Sequence, residues 1–458
     1  MSTLKTPQLI QKLFKCICPE RIDEIAKETG FIKRKRSFTA NDFLSLLFQI
    51  HGNLVDHSLQ ELCTKLMMQQ EISVSRTAID KKFTPEAVVF LQRIIQELML
   101  EQQLLQPSVL NLADDWPFTS IKVLDASFVS VPDHLKARAC KTRQTSAKIQ
   151  FELNILTGES TFLSVDFNNI NDVKMGARRV PFIEKHELCL QDLGYFSFEQ
   201  FEKIEENKGF FISKLRSDVY VALKNPFPSF HPNGEVVQSS LYHRIDLVAL
   251  CKNLAPGEYL ELEGVHFGRD AHFPARCILF SHDESQKEQR IQRIHRRTVQ
   301  SGKKPKQVVQ DLAGITICMT NLPESISASQ IIELYRLRWQ VELIFKVWKS
   351  YLEINHFKLM KQERWLCHLY GTLLVLLISQ LIAYQFRNDI WEEKQIEISE
   401  MVAIRSIATE VLSRLYETYR KKGKTFKEDV QMVTWLLIKT ARKPNSVKGT
   451  ALKRLRFA

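Results

Sequence analysis

The chain lacks the local signatures of several common enzyme classes. It contains no Walker phosphate loop, no glycine fingerprint of a dinucleotide-binding fold and no His-Glu-x-x-His zinc motif. Nucleophilic catalysis by Ser, Cys or His has no local signature either. The nine cysteines are scattered, with one Cys-x-Cys pair at Cys16 and Cys18, and none has the spacing of a zinc site. We therefore expect free, mostly buried thiols in a reducing compartment.

The sequence also gives no sign of export or membrane insertion. Its first residues, Met-Ser-Thr-Leu-Lys, contain no apolar signal core. The one long apolar stretch, 366–384, is interrupted by His368, Ser379 and Gln380, which favours a helix buried in protein over a membrane span. We therefore predict a cytoplasmic protein without a membrane partner.

Size and charge indicate a multidomain protein with an anionic partner. The 458 residues are 44% hydrophobic, which is enough for two to four domains with their own cores. The formal net charge is +12, and the pI is about 9.1. Such an excess of positive charge favours a polyanion such as nucleic acid. An anionic membrane surface, or a solvated basic protein with no such partner, remains an alternative at this point.

The first 110 residues have a helical apolar pattern and predict an all-α domain. Two short helices over 58–66 and 75–83, the second of them basic, loosely resemble a helix-turn-helix. A Lys-Arg-Lys-Arg run occupies 33–36. These basic residues indicate a DNA-contacting domain, and a plain helical bundle with a charged surface is the alternative.

Near residue 121 the pattern changes to strands. Three strand-like runs in succession predict an antiparallel meander, with a Thr157-Gly158-Glu159 turn between the second and third. Helices and strands then alternate, which is typical of an α/β layer around a mixed sheet. The predicted strands are 121–131, 149–156, 161–165, 188–190 and 210–215, and the predicted helices are 172–185 and 197–206.

After residue 216 this alternation stops, and the sequence predicts a small β-rich insertion. A basic helix over 287–298 closes the insertion and leads into Lys303-Lys304-Pro305-Lys306. In a basic protein such a cluster favours phosphate contact over a merely solvated face. A strand at 315–319 follows, and the chain beyond 355 is helical with a basic tail.

Four polar residues in the C-terminal third, Tyr335, Arg338, Glu342 and Lys349, have spacings of three, four and seven. On one continuous helix their side chains form a single stripe within roughly 60° of arc. A neighbouring apolar stripe docks the helix, so the polar stripe is predicted to line a cleft. The alternative is a solvated face with incidental pairing of Arg338 and Glu342. The apolar stripe consists of Leu334, Leu337, Val341, Ile344 and Trp348.

Catalysis with a divalent metal needs oxygen ligands from different elements, so Glu342 would need partners. Asp125 lies inside an apolar run, where an unpaired charge costs on the order of several kcal/mol. Asp192 follows a predicted strand, and strand ends are where α/β proteins place reactive groups. A strand-edge Asp bonded to a hydroxyl or Arg, and a turn-forming Asp, are the alternatives. We interpret Asp172 as a helix cap.

With these residues the chain resembles bacterial insertion-sequence transposases of the DDE class, in the insertion-sequence-four family with a Tyr-Arg-Glu-Lys signature. The four residues of the polar stripe match that signature in type and spacing. Asp125-Ala126-Ser127 is similar to the family's first catalytic block, and Asp192-Leu193-Gly194-Tyr195 is similar to the second. The resemblance spans about residues 38–385.

The resemblance implies an α/β fold: a ribonuclease H-like mixed-sheet catalytic core with an inserted β-rich domain, flanked by all-α N- and C-terminal regions. The expected domains are an all-α DNA-binding domain (1–110), the first part of the core (111–216), the β-rich insertion (217–312), the second part of the core with the catalytic helix (313–385) and a helical basic C-terminal region (386–458).

The activity implied is that of a transposase that nicks the ends of its insertion sequence and joins the 3′-hydroxyls to target DNA. Asp125, Asp192 and Glu342 would hold two Mg²⁺ ions, which Mn²⁺ can replace. Tyr335, Arg338 and Lys349 would bind phosphates near the element's end. The partners would be double-stranded DNA, as terminal inverted repeats and target, and a second copy in a synaptic homodimer. The alternatives are a non-catalytic or domesticated DNA-binding relic, and a ribonuclease H-like nuclease without strand transfer.

Two features depart from the family's pattern. Leu193 occupies a position where many members have Arg, so a phosphate contact is in doubt there. Relatives stack a flipped base on a Trp of the insertion, but the six Trp residues here lie outside it. Tyr242, Phe267 or Phe273 would be substitutes, because any aromatic face can stack a base.

Overall fold

The computed structural model describes most of the chain and divides into two compact units. Described are residues 5–34, 37–105, 107, 116–132, 146–167, 170–217, 219–300, 302, 304–356, 358–421, 426–444 and 455. Unit 1 comprises Met1–Asn111, Asp125–Ile170 and Gln340–Lys448, and unit 2 comprises Leu112–Leu124, Asn171–Trp339 and Gly449–Ala458. Each unit is therefore assembled from separate stretches of chain.

The protein is a mixed α/β structure with a large mixed sheet, which agrees with the predicted fold class at this level. The described helices are α1 (Thr6–Lys15), α2 (Pro19–Glu28), α3 (Ala40–Gln49), α4 (Leu59–Gln70), α5 (Arg76–Asp80), α6 (Pro85–Leu104), α7 (Asp172–Arg179), α8 (Phe198–Glu206), α9 (Leu247–Cys251), α10 (Glu284–Gln300), α11 (Gln307–Asp311), α12 (Ala328–Arg336), α13 (Trp339–Ser350), α14 (Gln362–Lys394), α15 (Glu400–Ser406), α16 (Leu412–Arg420) and α17 (Phe426–Thr440). The described strands are β1 (Ser120–Ser130), β2 (Ser146–Asn154), β3 (Ser160–Asp166), β4 (Glu187–Gln191), β5 (Phe210–Lys214), β6 (Val221–Lys224), β7 (Tyr242–Arg244), β8 (Tyr259–Leu262), β9 (Val265–Phe267), β10 (Phe273–Pro274), β11 (Arg276–Ser281) and β12 (Ile315–Thr320).

Unit 1 is built around α14, a 33-residue helix that is buried along most of its length. By length and composition this helix could cross a membrane, but 94% of its apolar window is buried inside the protein. The backbone at Gly52 packs directly against this helix. A Cβ atom at position 52 would come within 2.4 Å of the Thr372 backbone nitrogen. The prediction of a protein-buried helix over 366–384 is confirmed.

The predicted hairpin of strands lies against this helix in unit 1. Strands β2 and β3 pair antiparallel, with Lys148 opposite Asp166. Gly158, in the turn between them, has a φ of +79°, which glycine adopts without strain. A Cβ atom at this position would lie 2.3 Å from the Tyr384 side chain of α14. The turn therefore requires glycine both for its backbone and for its packing.

Unit 2 contains the parallel part of the sheet. The first residues of β1 pair parallel with β4, and β4 pairs parallel with β5. The order continues through β12, β11 and β8 by antiparallel pairing. Helix α8 covers this sheet, with the ring of Phe201 stacked 4.4 Å from that of Phe211. Helices and parallel strands thus alternate as the sequence predicts.

The segment between β5 and β12 supplies strands to two sheets. Strands β10, β9, β6 and β7 form a separate four-stranded sheet in that order. Strands β8 and β11 instead extend the large sheet beside β12. Only part of the segment predicted as a β-rich insertion is therefore a separate sheet in the structure.

Three predicted helices differ in the structure. Helix α7 ends at Arg179, short of the predicted 185, because Pro181 places a 3-10 turn after it. Helix α5 has five residues and occupies only part of the predicted 75–83. The predicted helix of the polar stripe is two helices, α12 and α13.

The break between α12 and α13 lies at Leu337 and Arg338. Their backbone N–H groups donate to the carbonyls of Leu334 and Tyr335, three residues back, at 2.9 and 3.1 Å. Neither Gly nor Pro lies within 328–350, so no local signal marks this tightening. The prediction of one continuous helix under the four polar side chains is therefore wrong. The predicted apolar positions are nevertheless all buried: Leu334, Leu337, Val341, Ile344 and Trp348.

The cysteines behave as predicted where they are described. Eight are free, and all of these except Cys16 and Cys18 are buried. Burial raises the pKa of Cys251 to about 11, so its thiol stays protonated and unreactive.

Candidate active site

Asp192 follows the carboxyl end of β4 in unit 2. All five residues of β4 are buried, whereas Asp192 is half-buried. Its backbone carbonyl accepts a hydrogen bond from the Tyr195 N–H at 3.0 Å, which closes a 3-10 turn over Leu193–Tyr195. The turn ends the strand and holds the backbone of Asp192 at the sheet's edge.

Gly194 allows a close approach of Asp172 beside this turn. A Cβ atom at position 194 would lie 3.1 Å from the Asp172 carboxylate oxygen Oδ2. Asp172 does not cap α7, contrary to the prediction, because the Asn171 side chain accepts the Val173 N–H at 3.1 Å. Asp172 instead occupies the first turn of α7, where its charge complements the helix dipole.

Tyr335 and Arg338 interact with each other and with Asp192 inside unit 2. The Arg338 guanidinium is hydrogen-bonded to the Tyr335 hydroxyl. Burial raises the pKa of Tyr335, Cys318 and the Asp192 carboxylate raise it further, and Arg338 opposes them. The phenol is therefore a neutral hydrogen-bonding group, held beside a carboxylate and a guanidinium.

Lys214, at the end of β5, belongs to this group although no sequence motif indicated it. Burial lowers the pKa of Lys214, and the Arg290 and Arg338 guanidiniums add to this, whereas Cys318 and Asp192 act in the opposite direction. The available signal was a lysine that ends an otherwise mostly buried strand. Lys214 is therefore within electrostatic reach of Arg290, Arg338 and Asp192, and such a group of cations suits binding of an anion such as phosphate.

Arg290 also anchors the predicted basic helix, α10. Its guanidinium donates to Thr316 Oγ1 at 3.0 Å and to the Ala313 and Ile315 carbonyls at 3.4 and 3.3 Å. Burial lowers the pKa of Arg290, and the positive charges of Arg293 and Arg336 add to the effect. No residue of α10 is fully buried, and Arg290 is partly buried. One arginine thus docks the helix, and its other arginines, Arg293, Arg296 and Arg297, are exposed.

Asp125 is the first residue of β1 that belongs to unit 1. It is half-buried, and its Oδ1 accepts the Ala126 backbone N–H at 2.8 Å. In unit 2, Leu124 lies opposite Gln191 in the parallel pairing of β1 with β4. Asp125 therefore follows Leu124 and Asp192 follows Gln191, the two residues that lie opposite each other in this parallel pairing.

Glu342 lies in the first turn of α13 and is half-buried. Aromatic packing fixes this helix within unit 1, since the Trp348 ring lies 5.3 Å from Phe151 on β2 and 5.0 Å from Phe345. Lys349 lies in the last turn and is exposed, although partial loss of water around its ammonium lowers its pKa. Of the predicted site residues, unit 2 thus contains Asp192, Tyr335 and Arg338, and unit 1 contains Asp125, Glu342 and Lys349.

The three aromatic candidates for base stacking differ in exposure. Phe267 is fully buried and Phe273 is 2% exposed, so neither can stack on a base. Tyr242 is half-buried, and its ring is stacked on that of His272 at 3.8 Å with an interplanar angle of 7°. The burial of both phenylalanines leaves Tyr242 as the accessible ring of the three.

Another group of possible metal ligands lies in unit 1 and was not expected from the sequence. The group consists of Asp56, Glu353 and His356. Their possible ligand atoms lie within 4.8 Å of one another. His356 Nδ1 is 2.8 Å from Asp56 Oδ1, and Lys358 Nζ is 3.6 Å from the same oxygen. Although burial opposes it, hydrogen bonds to Asn53, Glu353 and His356 lower the pKa of Asp56 to about 2. These hydrogen bonds and the Lys358 ammonium therefore already compensate this carboxylate.

Comparison with known proteins gives extensive matches. Residues 116–378 match the Transposase DDE domain family. The transposase of insertion sequence element IS231C from Bacillus thuringiensis subsp. berliner is 31% identical, over 94% of this chain and 91% of its own. The transposase of IS1151 from Clostridium perfringens is 31% identical, over 84% of this chain and 82% of its own. In a solved structure, a piggyBac transposase in a synaptic complex with hairpin DNA aligns with 98% of this chain and 87% of its own, at 13% identity and a TM-score of 0.46.

The mixed α/β fold with its large mixed sheet and, above all, these sequence matches place the chain in the class of DNA transposases. The chain belongs to the transposase DDE domain family. The resemblance to insertion-sequence transposases is confirmed, and with it DNA binding and the use of a divalent metal.

Proposed function

We propose that Asp125, Asp192 and Glu342 are the catalytic carboxylates of this transposase. The register of β1 and β4 is the observation that carries the proposal. Leu124 is opposite Gln191, so Asp125 follows the last paired residue within β1, and Asp192 follows the end of β4. Glu342 supplies the third carboxylate from the first turn of α13, a helix fixed by Phe345 and Trp348.

The donor set fits two Mg²⁺ ions, with Mn²⁺ as a substitute, because all three residues offer hard oxygen ligands from different elements. Bound divalent ions would activate water or a 3′-hydroxyl and stabilise the leaving oxygen of an in-line phosphoryl transfer. The Ala126 N–H orients the Asp125 carboxylate by donating to Oδ1 at 2.8 Å. A ribonuclease H-like core agrees with the β2–β3 hairpin followed by parallel strands and intervening helices.

Tyr335, Arg338 and Lys349 bind DNA phosphates in this proposal. Arg338 offers a bidentate fork, Lys349 offers an exposed point charge, and Tyr335 offers a neutral hydroxyl already oriented by Arg338. The DNA is the element's terminal inverted repeats and the target duplex. Two copies of the chain would join on these ends in a cytoplasmic synaptic complex, in which 3′-hydroxyls are transferred to target DNA.

The test is cleavage of a duplex that carries the element's terminal repeat. With Mg²⁺ the wild-type protein should nick at the repeat boundary and then join the freed 3′-hydroxyl to a second duplex. Glu342→Gln should lose nicking by at least about a hundredfold while retaining end binding. Unchanged nicking would remove Glu342 from the site. Nicking without joining would identify a nuclease, and end binding without either reaction would identify a DNA-binding relic.

The phosphate role of Lys349 has a separate test. Lys349→Ala should weaken end binding and lower the slope of log K against log salt by about 0.9, the value for one phosphate contact. Lys346→Ala, an exposed lysine on the same helix, is the matched control. A slope that stays at the wild-type value in Lys349→Ala would exclude phosphate contact by this residue.

A further inference from the structure

The cluster of Asp56, Glu353 and His356 in unit 1 has no part in the proposed strand transfer, yet its side chains are suitable metal ligands. Two are carboxylates and one is an imidazole. This donor set suits Zn²⁺ and related divalent transition metals better than Mg²⁺, which prefers oxygen ligands alone. All three side chains are partly exposed, so an ion can enter from solvent.

The three residues come from two segments that are far apart in sequence. Asp56 lies in the loop between α3 and α4, and Glu353 and His356 lie in the turn that follows α13. The His356 N–H donates to the Glu353 carbonyl at 2.7 Å, which closes this turn. A bound ion would therefore link the loop after α3 to the end of α13, the helix that carries Glu342.

Hydrogen bonds hold the loop that carries Asp56 in place. The Asn53 side chain donates to Asp56 Oδ2 at 2.7 Å and accepts the Asp56 N–H at 3.2 Å. From α14, Arg364 donates to the Leu54 carbonyl at 2.9 Å and to the His57 carbonyl. The Asp56 carboxylate is therefore positioned before an ion binds, which reduces the ordering cost of binding.

The two carboxyl groups of the cluster crowd each other. Asp56 and Glu353 are in hydrogen-bonding contact, and this contact raises the pKa of Glu353. Lys358 is a neighbouring cation, but it is exposed and lies 3.6 Å from Asp56 Oδ1. A divalent cation would relieve the repulsion between the two carboxylates and release the lysine to solvent.

A fully buried histidine beside the cluster has an unsatisfied ring nitrogen. His368 of α14 is 0% exposed, and its Nδ1 lies 3.3 Å from the Gly52 carbonyl oxygen. Its Nε2 is buried and makes no hydrogen bond among the described residues. Burial lowers the pKa of His368 to about 4, whereas Asp56 and the Ile354 carbonyl oppose the effect, which places the ring next to both segments of the cluster. A water molecule on a bound ion would supply the partner that Nε2 lacks.

We propose that Asp56, Glu353 and His356 bind one Zn²⁺ ion, which links the loop after α3 to the turn after α13. Water occupies its remaining position. The inference does not depend on the catalytic assignment, because none of the three ligands belongs to it.

Isothermal titration of Zn²⁺ into the full-length Glu342→Gln variant, in an excess of Mg²⁺, tests the site. The Mg²⁺ fills sites that consist of oxygen ligands alone, and Glu342→Gln removes one carboxylate of the proposed catalytic set. One Zn²⁺ per chain should bind, and His356→Gln in this background should weaken binding at least about a hundredfold. His295→Gln, at an exposed histidine of α10, is the matched control and should leave zinc binding unchanged.

X-ray absorption at the zinc edge identifies the ligands independently. The bound ion should show nitrogen and oxygen neighbours at about 2.0 to 2.1 Å. Sulfur neighbours at about 2.3 Å would place the zinc on cysteines and overturn the proposal.

Thermal unfolding measures the link between the two segments. Zinc at about 100 times its Kd should raise the melting temperature by about 5 °C. The half-exposed His356 ring contributes little packing, so His356→Gln should melt at the parent temperature without zinc and should show no shift with it. A full zinc-induced shift in His356→Gln would exclude this site.

Lys358→Ala provides a measurement of opposite sign. Zinc should bind about two- to fivefold more tightly, because an exposed ion pair no longer competes for the Asp56 carboxylate. No gain in affinity would count against Asp56 as a ligand.

Two further outcomes would overturn the proposal. One is complete displacement of zinc by Mg²⁺, which would indicate a site of oxygen ligands alone. The other is zinc binding in wild type that disappears in Glu342→Gln, which would place the ion at the catalytic carboxylates. Failure of the catalytic assignment is distinguishable, since unchanged nicking in Glu342→Gln would leave the zinc measurements as expected.

Discussion

Two groups of charged side chains, one in each unit, differ in how their charges are compensated. In unit 1, Arg387 and Glu400 are almost fully buried, with Arg387 Nη1 at 3.5 Å from Glu400 Oε1. Lys443 Nζ lies 2.9 Å from the other oxygen of Glu400 and 3.1 Å from Glu397. Two cations thus face two carboxylates. Arg387 also donates to the carbonyls of Ile155 and Leu156 at 2.9 and 3.1 Å, which satisfies more of its N–H groups.

In unit 2 the surroundings of Lys214 are unfavourable to its charge. The Arg290 and Arg338 guanidiniums act against the Lys214 ammonium, whereas Cys318 and Asp192 act in its favour. Burial and the two guanidiniums lower the pKa of Lys214, so folding costs free energy there. Removing one partner of a buried ion pair leaves an uncompensated charge, whereas a cation with a lowered pKa is typical of a functional site. We therefore expect substitutions in the two groups to affect stability and activity differently.

The largest expected effect is on stability, at Arg387. Arg387→Met should destabilise the protein by about 3 to 5 kcal/mol, because Glu400 loses a buried partner and two carbonyls lose their donor. Urea unfolding followed by circular dichroism measures it. Arg387→Met combined with Glu400→Gln should cost clearly less than the sum of the two single changes. Strict additivity would show that the two side chains do not act as a pair.

Lys214→Met should have the opposite effect: strand cleavage is lost, whereas stability is not. Strand cleavage should fall about a hundredfold, as for loss of one preorganised phosphate-binding group. Stability should stay level or rise by about 1 kcal/mol, because an unfavourably placed charge is removed. Single-turnover nicking and urea unfolding are the two measurements, with the exposed Lys203→Met on α8 as control. A variant that is both less stable and fully active would place Lys214 with the structural ions.

The pH dependence of stability tests how Lys443 and Arg387 compensate the buried Glu400 carboxylate in unit 1. Burial alone would raise the pKa of Glu400, but Lys443 and Arg387 lower it overall. A carboxyl with a depressed folded pKa contributes stability above its unfolded pKa of about 4.5, and loses it as the pH falls through the folded pKa. Unfolding free energies measured between pH 6 and pH 3 should therefore fall on the order of 1 kcal/mol less in Glu400→Gln than in wild type. Glu393→Gln, at an exposed position of α14, should follow the wild-type curve.

The sequence predicts best what short-range patterns determine. The β2–β3 hairpin follows from Gly158 and its neighbours, and buried α14 follows from an apolar stretch broken by a few polar residues. Asp125 was singled out because an unpaired charge is costly inside an apolar run, and Asp192 because it follows a strand end. Local chemistry of this kind is readable without a structure.

Long-range contacts explain most of what the sequence did not predict. Lys214 comes within electrostatic reach of Arg290 and Asp192 only when β5 and α10 are folded, and Arg387 meets Glu400 across the turn between two helices. The break between α12 and α13 has no Gly or Pro to announce it, so a continuous helix was the reasonable expectation. In each case tertiary packing overrides a local pattern.

The smallest expected effect concerns Leu193, where many members of the family have Arg. The side chain borders a small cavity of about 290 Å³ with Phe196 and Leu215, so a longer residue has room to turn outward. Leu193→Arg should therefore fold, and if position 193 faces DNA it should tighten end binding about threefold and raise the salt slope by about 0.9. Leu193→Gln has similar polarity without the charge and should leave the slope unchanged. Equal slopes in Leu193→Arg and Leu193→Gln would mean that the positive group of unit 2 does not extend to this turn, and that Lys214, Arg290 and Arg338 mark its limit.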